Sequence, residues 1–144
     1  MHSEMVCGLT IRALRNGETG AVQAVFDRLG PRSRLLRFGG AKNVLLPSDL
    51  ARLARIDANH HAVVAVADGE PIGIARLVRD GDTAEVAFAV ADEWQGRGVG
   101  TVLVDRLAAD ARAAGIRRFV ATVSESNPRS LALLRRICAQ VAWA

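Results

Sequence analysis

The apolar positions of the chain change period several times, and each change marks an element. Gly8 to Leu14 alternates loosely and predicts an opening strand. Over Glu18 to Leu29 the period lengthens: Val22, Val25, Phe26 and Leu29 fall three and four apart, one face of a helix that Gly30-Pro31 ends. Arg32 to Leu46 carries no period and holds Gly39-Gly40 in its middle. Ser48 then suits the N-cap of a short helix bearing Leu50, Leu53 and Ile56. From there the pattern turns β-rich in three runs, His61 to Ala67, Pro71 to Arg79 and Thr83 to Ala91. Asp68-Gly69 and Asp80-Gly81-Asp82, which favour tight hairpins, separate them. Beyond Gln95 to Gly100, a stripe of Leu103, Leu107, Ala111 and Ala114 predicts a long helix over Thr101 to Ala114. Gly115 suits the left-handed position that often ends a helix. Ile116 to Ser124 reads as a strand, Pro128 to Cys138 as a helix and Gln140 to Ala144 as the start of a last strand. The order, β-α-α-β-β-β-α-β-α-(β), is that of an α+β domain.

Composition narrows the class. A chain of 144 residues has the length of a single domain, so 1–144 is read as one unit. With 50% hydrophobic and 24% charged residues it can build a core and is not a disordered tail. No apolar run approaches the ~20 residues of a membrane span. Met1 to Leu9 lacks the basic-then-apolar pattern of a secretory signal, so a cytoplasmic location is expected. Cys7 and Cys138 have no metal-ligand spacing and read as buried thiols, and no metal is expected. His60-His61, without a Cys, Asp or Glu at ligand spacing, reads as a helix-to-strand junction.

The charge balance, 19 basic against 15 acidic residues, adds a hint about ligands. All the basic residues except Lys42 are arginines, whose guanidinium forks onto phosphate or carboxylate oxygens. Arg28 to Arg37 holds four arginines and no acid, and Arg112 to Arg136 holds six against Glu125 alone. Nucleic acid is disfavoured as the partner, because aromatics make up 4% of the chain and none is interleaved with these charges.

The clearest candidate chemistry is Gln95-Gly96-Arg97-Gly98-Val99-Gly100, between a predicted strand and a predicted helix. Glycines admit positive φ and close approach of the backbone. The helix that follows offers unpaired N–H groups and a positive dipole end, which together suit a pyrophosphate. The spacing alone is equally consistent with a simple tight turn. There is no Gly-Lys-Ser/Thr for a P-loop, and the hairpin-like strands upstream disfavour a dinucleotide fold.

Gln95-x-x-Gly98-x-Gly100 resembles the (Arg/Gln)-x-x-Gly-x-(Gly/Ala) motif of the GNAT superfamily of N-acetyltransferases, and the element order around it is similar too. Ala84-Glu85-Val86 before the loop, and the Arg37-Phe38 segment, are most similar to the bacterial protein-lysine acetyltransferase branch. The resemblance implies a mixed, mostly antiparallel sheet flanked by helices. It also implies acetyl-CoA as donor and a primary amine, either a protein lysine or a small molecule, as acceptor. Backbone N–H groups of Gln95, Gly96, Arg97, Gly98, Val99, Gly100 and Thr101 would then hold the CoA pyrophosphate. Phe88, Ala89 and Val90 would pair with the pantetheine arm, and Asn127 would contact the cofactor beyond the splay of two strands. Arg97 would face the CoA phosphates, with Arg129 and Arg135 as further candidates.

The chemistry needs a base. A lysine amine of pKa ~10.4 is free in about one molecule in 2,500 at pH 7, roughly 4.6 kcal/mol short of reactive. A carboxylate near the thioester relieves part of that. Glu85 is the candidate: it precedes the proposed pantetheine contacts by three residues, and its apolar neighbours Ala84, Val86 and Ala87 suggest burial that would raise its pKa. A solvated strand glutamate is the alternative, and Glu125 a weaker base. Many family members use a tyrosine in the last helix as acid; the matching position is Leu134, and the chain has no tyrosine. A thiolate leaves without much help, and Ser126 or Ser130 could orient a water.

The family usually adds two strands after the last helix, whereas six residues follow Cys138 here. Shortened C-terminal strands would leave an open sheet edge. Either a homodimer partner completes the sheet, or the chain is a degenerate fold that binds acyl-CoA or another protein without turnover.

Overall fold

Left-handed residues set the centre of the sheet. In the computed structural model, which describes residues 5–6, 8–31, 33, 44–123, 128–138 and 140–143, β3 (His60–Ala67) turns into β4 (Glu70–Asp80) through Asp68 at φ 51° and Gly69 at φ 80°. Two such residues give a turn whose twist matches the strands it joins. Gly81, at φ 65°, and Asp82 join β4 to β5 (Thr83–Val90) in the same compact way, with Asp80 opposite Thr83. β1 (Met5–Val6) and β2 (Leu9–Ala13) extend this antiparallel meander on one side. On the other side β6 (Arg118–Val123) and β7 (Gln140–Trp143) pair in parallel, giving a seven-stranded sheet in sequence order.

Parallel neighbours need crossovers. α3 (Val99–Ala113) links β5 to β6, and α4 (Pro128–Leu134) links β6 to β7. α1 (Thr19–Asp27) and α2 (Pro47–Leu53) lie between β2 and β3 in the chain. Alternation along β3 shows how the layers form: Val63, Ala65 and Ala67 join the cluster under α3, while Ala62 and Val64 join the one under α1 and α2. Leu103 and Leu107 of α3 are fully buried in the first cluster, Val22 and Phe26 of α1 in the second. Truncating Leu103 to Ala would cost about 2–5 kcal/mol, the usual range for a core leucine. The mixed, mostly antiparallel sheet flanked by helices is as expected from the sequence. No helix among the described residues is long and apolar enough to cross a membrane.

Element boundaries differ where side chains intervene. α1 starts at Thr19, because Glu18 turns back to bind the Arg12 guanidinium and the Arg15 N–H. That pairing holds the Glu18 carboxyl well below its ordinary value, at about 2. Ser48 does not cap α2. The helix begins two residues earlier than that cap implies, at Pro47, whose fixed φ suits a first helical position, with Leu46 as the N-cap. The Asp49 carboxylate accepts from the Leu46 N–H at 2.9 Å. α3 starts two residues before the predicted Thr101, and α4 ends at Leu134, short of Cys138. The two-residue β1 has too little pattern to be seen in sequence.

Candidate functional site

β5 and β6 part company. Among the described residues they pair only at Thr83–Arg118, Ala84–Phe119 and Glu85–Val120, while β5 stays fully paired with β4 up to Val90. From Val86 onward the β6-facing edge of β5 therefore borders a wedge, with Phe88, Ala89 and Val90 along it.

At the open end of the wedge lies the glycine turn. Gly96 (φ 76°) and Gly98 (φ 85°) are left-handed, and Gly98 is the N-cap of α3 with no side-chain cap. The first hydrogen bond of the helix runs from the Val102 N–H to the Gly98 carbonyl at 3.2 Å. The N–H groups of Val99, Gly100 and Thr101 thus have no partner within the helix and point out of its positive end. Gly100 serves a different need: a Cβ there would meet Leu133 Cδ2 at 2.8 Å, so its absence lets α4 pack against α3.

Side chains anchor this turn to its surroundings. Gln95 Nε2 donates to the Val90 carbonyl at 3.0 Å, tying the turn to the end of β5. The Asp92 carboxylate accepts from the Gly30 N–H at 3.0 Å and from Ser33 Oγ at 2.5 Å, so the segment after α1 is fastened to the same place. Arg28 pairs with Glu93. The Arg97 guanidinium stacks on the Trp94 ring, 4.9 Å from its centroid. Arg129 Nη1 lies 3.7 Å from where a Gly96 Cβ would be, so it borders the turn more closely than its place in the sequence suggests.

On the α1-facing side of β5, Glu85 is exposed. This corrects the expectation of burial: alternation sends Ala84 and Val86 into the core under α3 and turns Glu85 to the opposite face. Along that face, Ala87 and Ala89 line a partly open pocket of about 30 Å³, room for about two waters. Val22 and Phe26 of α1, Leu29 just beyond it, Leu53 of α2, and Ile74 and Arg76 of β4 are among its other walls. The sequence reading did not single out Arg76 or Asp92. Arg76 was legible as a cation breaking the apolar face that Ile74 begins. Asp92 had no local signal, since its partners lie about 60 positions away in the chain.

Asn127, Glu125, Ser126, Cys7 and the Arg37-Phe38 segment lie outside the described residues. Leu134 is 4% exposed in the core. Cys138 is half-buried against the same core, and burial pushes its thiol up to about 11. His60 and His61 open β3, each with its own aspartate: Asp57 at 2.7 Å and Asp110 at 2.9 Å. No three His, Cys, Asp or Glu side chains gather as a metal site among the described residues.

The sequence profile of the acetyltransferase (GNAT) family matches residues 34–139. The chain is 36% identical over 94 residues to acetyltransferase Pat of Mycolicibacterium smegmatis; the match covers 61% of this chain and 28% of Pat. It is 33% identical over 124 residues to acetyltransferase PA5475 of Pseudomonas aeruginosa, covering 81% of this chain and 67% of that protein. The chain therefore spans under a third of the length of Pat. Among solved structures, the GNAT domain of S. lividans PAT superposes with a TM-score of 0.83 at 29% identity, over 89% of this chain and 79% of that one.

Proposed function

The chain belongs to the acetyltransferase (GNAT) family, and from that premise we propose that it transfers the acetyl group of acetyl-CoA to a primary amine, with Glu85 as general base. The observation that carries the reading is the wedge between β5 and β6, opening directly onto the uncapped start of α3. Acetyl-CoA, as co-substrate, would supply an activated thioester carbonyl.

The roles of the residues follow from their placement. N–H groups from Gln95 to Thr101 would receive the pyrophosphate, where glycine lets the backbone reach the oxygens and the helix dipole favours negative charge. The free backbone edge from Phe88 to Val90 would accept the amide-bearing arm as an added strand. Its carbonyl and N–H groups would then orient the thioester towards the α1-facing side of β5. Glu85, on that side, would take the proton that the amine sheds as its nitrogen bonds to the thioester carbon. The departing thiolate needs little protonation at neutral pH, so Leu134 in place of a tyrosine is compatible with turnover. The acceptor, a lysine side chain or a small amine, would enter past α1 and α2. Among the described residues β7 is the last strand of the sheet, and an unpaired edge is a template for a further strand. A homodimer paired there belongs to the same reading, and multi-angle light scattering tests it.

Calorimetric titration with acetyl-CoA and with CoA is the direct test. Micromolar binding of both supports the reading; no binding of either would leave the glycine turn as a turn only. Binding without acetylation of any amine in a lysine-peptide and small-amine screen would instead make the chain an acyl-CoA-binding module.

A further inference from the structure

Arg76 occupies a position that the alternation of β4 reserves for an apolar side chain. It follows Ile74 on the α1-facing side of the strand, between the buried Ala75 and Leu77, and its half-buried side chain lines the pocket together with Phe26 and Leu53. Nη2 donates to the Arg52 carbonyl at the end of α2, at 2.9 Å. Nε is buried and makes no hydrogen bond among the described residues. Burial holds the guanidinium below its ordinary pKa, and repulsion from Arg52 and Arg55 adds to this, while Asp57 and Glu85 act more weakly the other way. None of the ion pairs among the described residues includes Arg76. The link between α1 and α2 has no counter-ion to offer either: from Arg28 to Ser48 the sequence contains no Asp or Glu, while it contains Arg28, Arg32, Arg34, Arg37 and Lys42.

A half-buried cation on an apolar wall, with one donor unused, is better satisfied once an anion meets it. We propose that Arg76 determines acceptor specificity by binding a carboxylate on the acceptor while the amine is presented beside Glu85. In the β4–β5 register Arg76 lies opposite Ala87 and Glu85 opposite Val78, so the two share a face as diagonal neighbours, about 7–8 Å apart at the backbone. That spacing fits an amine and a carboxylate a few bonds apart, and the pocket, at about 30 Å³, fits a carboxylate better than a ring. The group comes either from a free amino acid of the ω-amino type or from an acidic residue beside a lysine in a peptide. The choice of acceptor rests on the transfer reading above; the carboxylate site itself does not.

The test compares kcat/KM for matched acceptors: 5-aminopentanoate against its amide, and Gly-Glu-Lys-Gly against Gly-Gln-Lys-Gly with blocked ends. Wild type should favour the carboxylate member of at least one pair by roughly ten- to a hundredfold, the range for a hydrogen bond to a charged group. The favoured pair identifies the source. In Arg76→Met that ratio should fall to about one, and in Arg76→Lys to an intermediate value, since lysine keeps the charge without the fork. Arg76→Gln replaces the Met variant if the latter does not fold. A wild-type ratio near one for both pairs, or a ratio unchanged in Arg76→Met, overturns the proposal. Calorimetric binding of 5-aminopentanoate and of Gly-Glu-Lys-Gly in the presence of CoA separates this from failure of the transfer reading. If no amine is acetylated, binding that weakens tenfold or more in Arg76→Met but survives in Glu85→Gln still supports the carboxylate site. Binding that is absent, or equal in wild type and Arg76→Met, for both 5-aminopentanoate and Gly-Glu-Lys-Gly overturns it.

Discussion

The two sides of β5 are built from different materials. Towards β6 the site is backbone: a strand edge left unpaired after Glu85, and helix N–H groups exposed by left-handed Gly98. Towards α1 it is side chain: Glu85, Arg76 and the apolar wall of Phe26 and Leu53. A backbone site recognises what every acyl-CoA shares, whereas a side-chain pocket can differ between relatives that keep the same fold. The contrast predicts that damage to one side leaves the task of the other intact.

The largest expected effect tests the chemistry. Glu85→Gln should lower kcat by about 10²–10⁴-fold, the contribution of a positioned base, while the calorimetric affinity for acetyl-CoA stays within about twofold. Loss of affinity of the same size as the loss of rate would mean that the two sides are one site. Next comes Gly98→Val, which forces a β-branched residue to φ 85° at a cost of roughly 1–2 kcal/mol and turns the first N–H groups of α3 away from the ligand. Acetyl-CoA should bind about tenfold or more weakly. The wild-type preference among acceptors, read as a ratio, should persist. If acceptor preference collapses along with affinity, the pocket depends on the turn and the division is wrong.

The smallest effect is a control remote from both. The Glu18 carboxyl, held at about 2 by Arg12, contributes stability that is fully present above its unfolded value of ~4.3 and is lost as pH falls towards 2. Glu18→Gln should therefore be less stable than wild type at pH 7 by up to about 1 kcal/mol, as for a solvent-accessible ion pair. Urea unfolding at several pH values should show that gap closing below pH ~4.5, with acetyl-CoA affinity at pH 7 unchanged. A gap that is constant with pH would locate the contribution of Glu18 in something other than its charge.

How much of this was legible in the sequence follows from the same division. The hairpins declared themselves because Asp-Gly needs no distant partner to fix its turn, and the glycine loop because positive φ leaves a compositional mark. Glu85 was found as a residue but misjudged as buried. Its immediate neighbours are apolar, but those neighbours face the other side of the sheet, so neighbours two apart were the ones to consult. Ser48 looks like a cap because it carries a hydroxyl, yet the carboxylate three residues beyond Leu46 reaches the Leu46 N–H. Arg76 and Asp92 owe their meaning to contacts with segments far away in the chain, from Arg52 and Gly30 respectively, and no window of the sequence contains both ends.

The parting of β5 and β6 also has a kinetic side. β3, β4 and β5 are antiparallel neighbours joined by two-residue turns, whereas β2 pairs with β3, and β6 with β5, across long stretches of chain. Contacts between residues distant in the chain must offset loop-closure entropy before they stabilise, and form late. The wedge is thus a seam between an early-folding meander and a late-docking crossover. A ligand lying in it would touch both, acting as a clasp that stabilises the docked crossover by mass action.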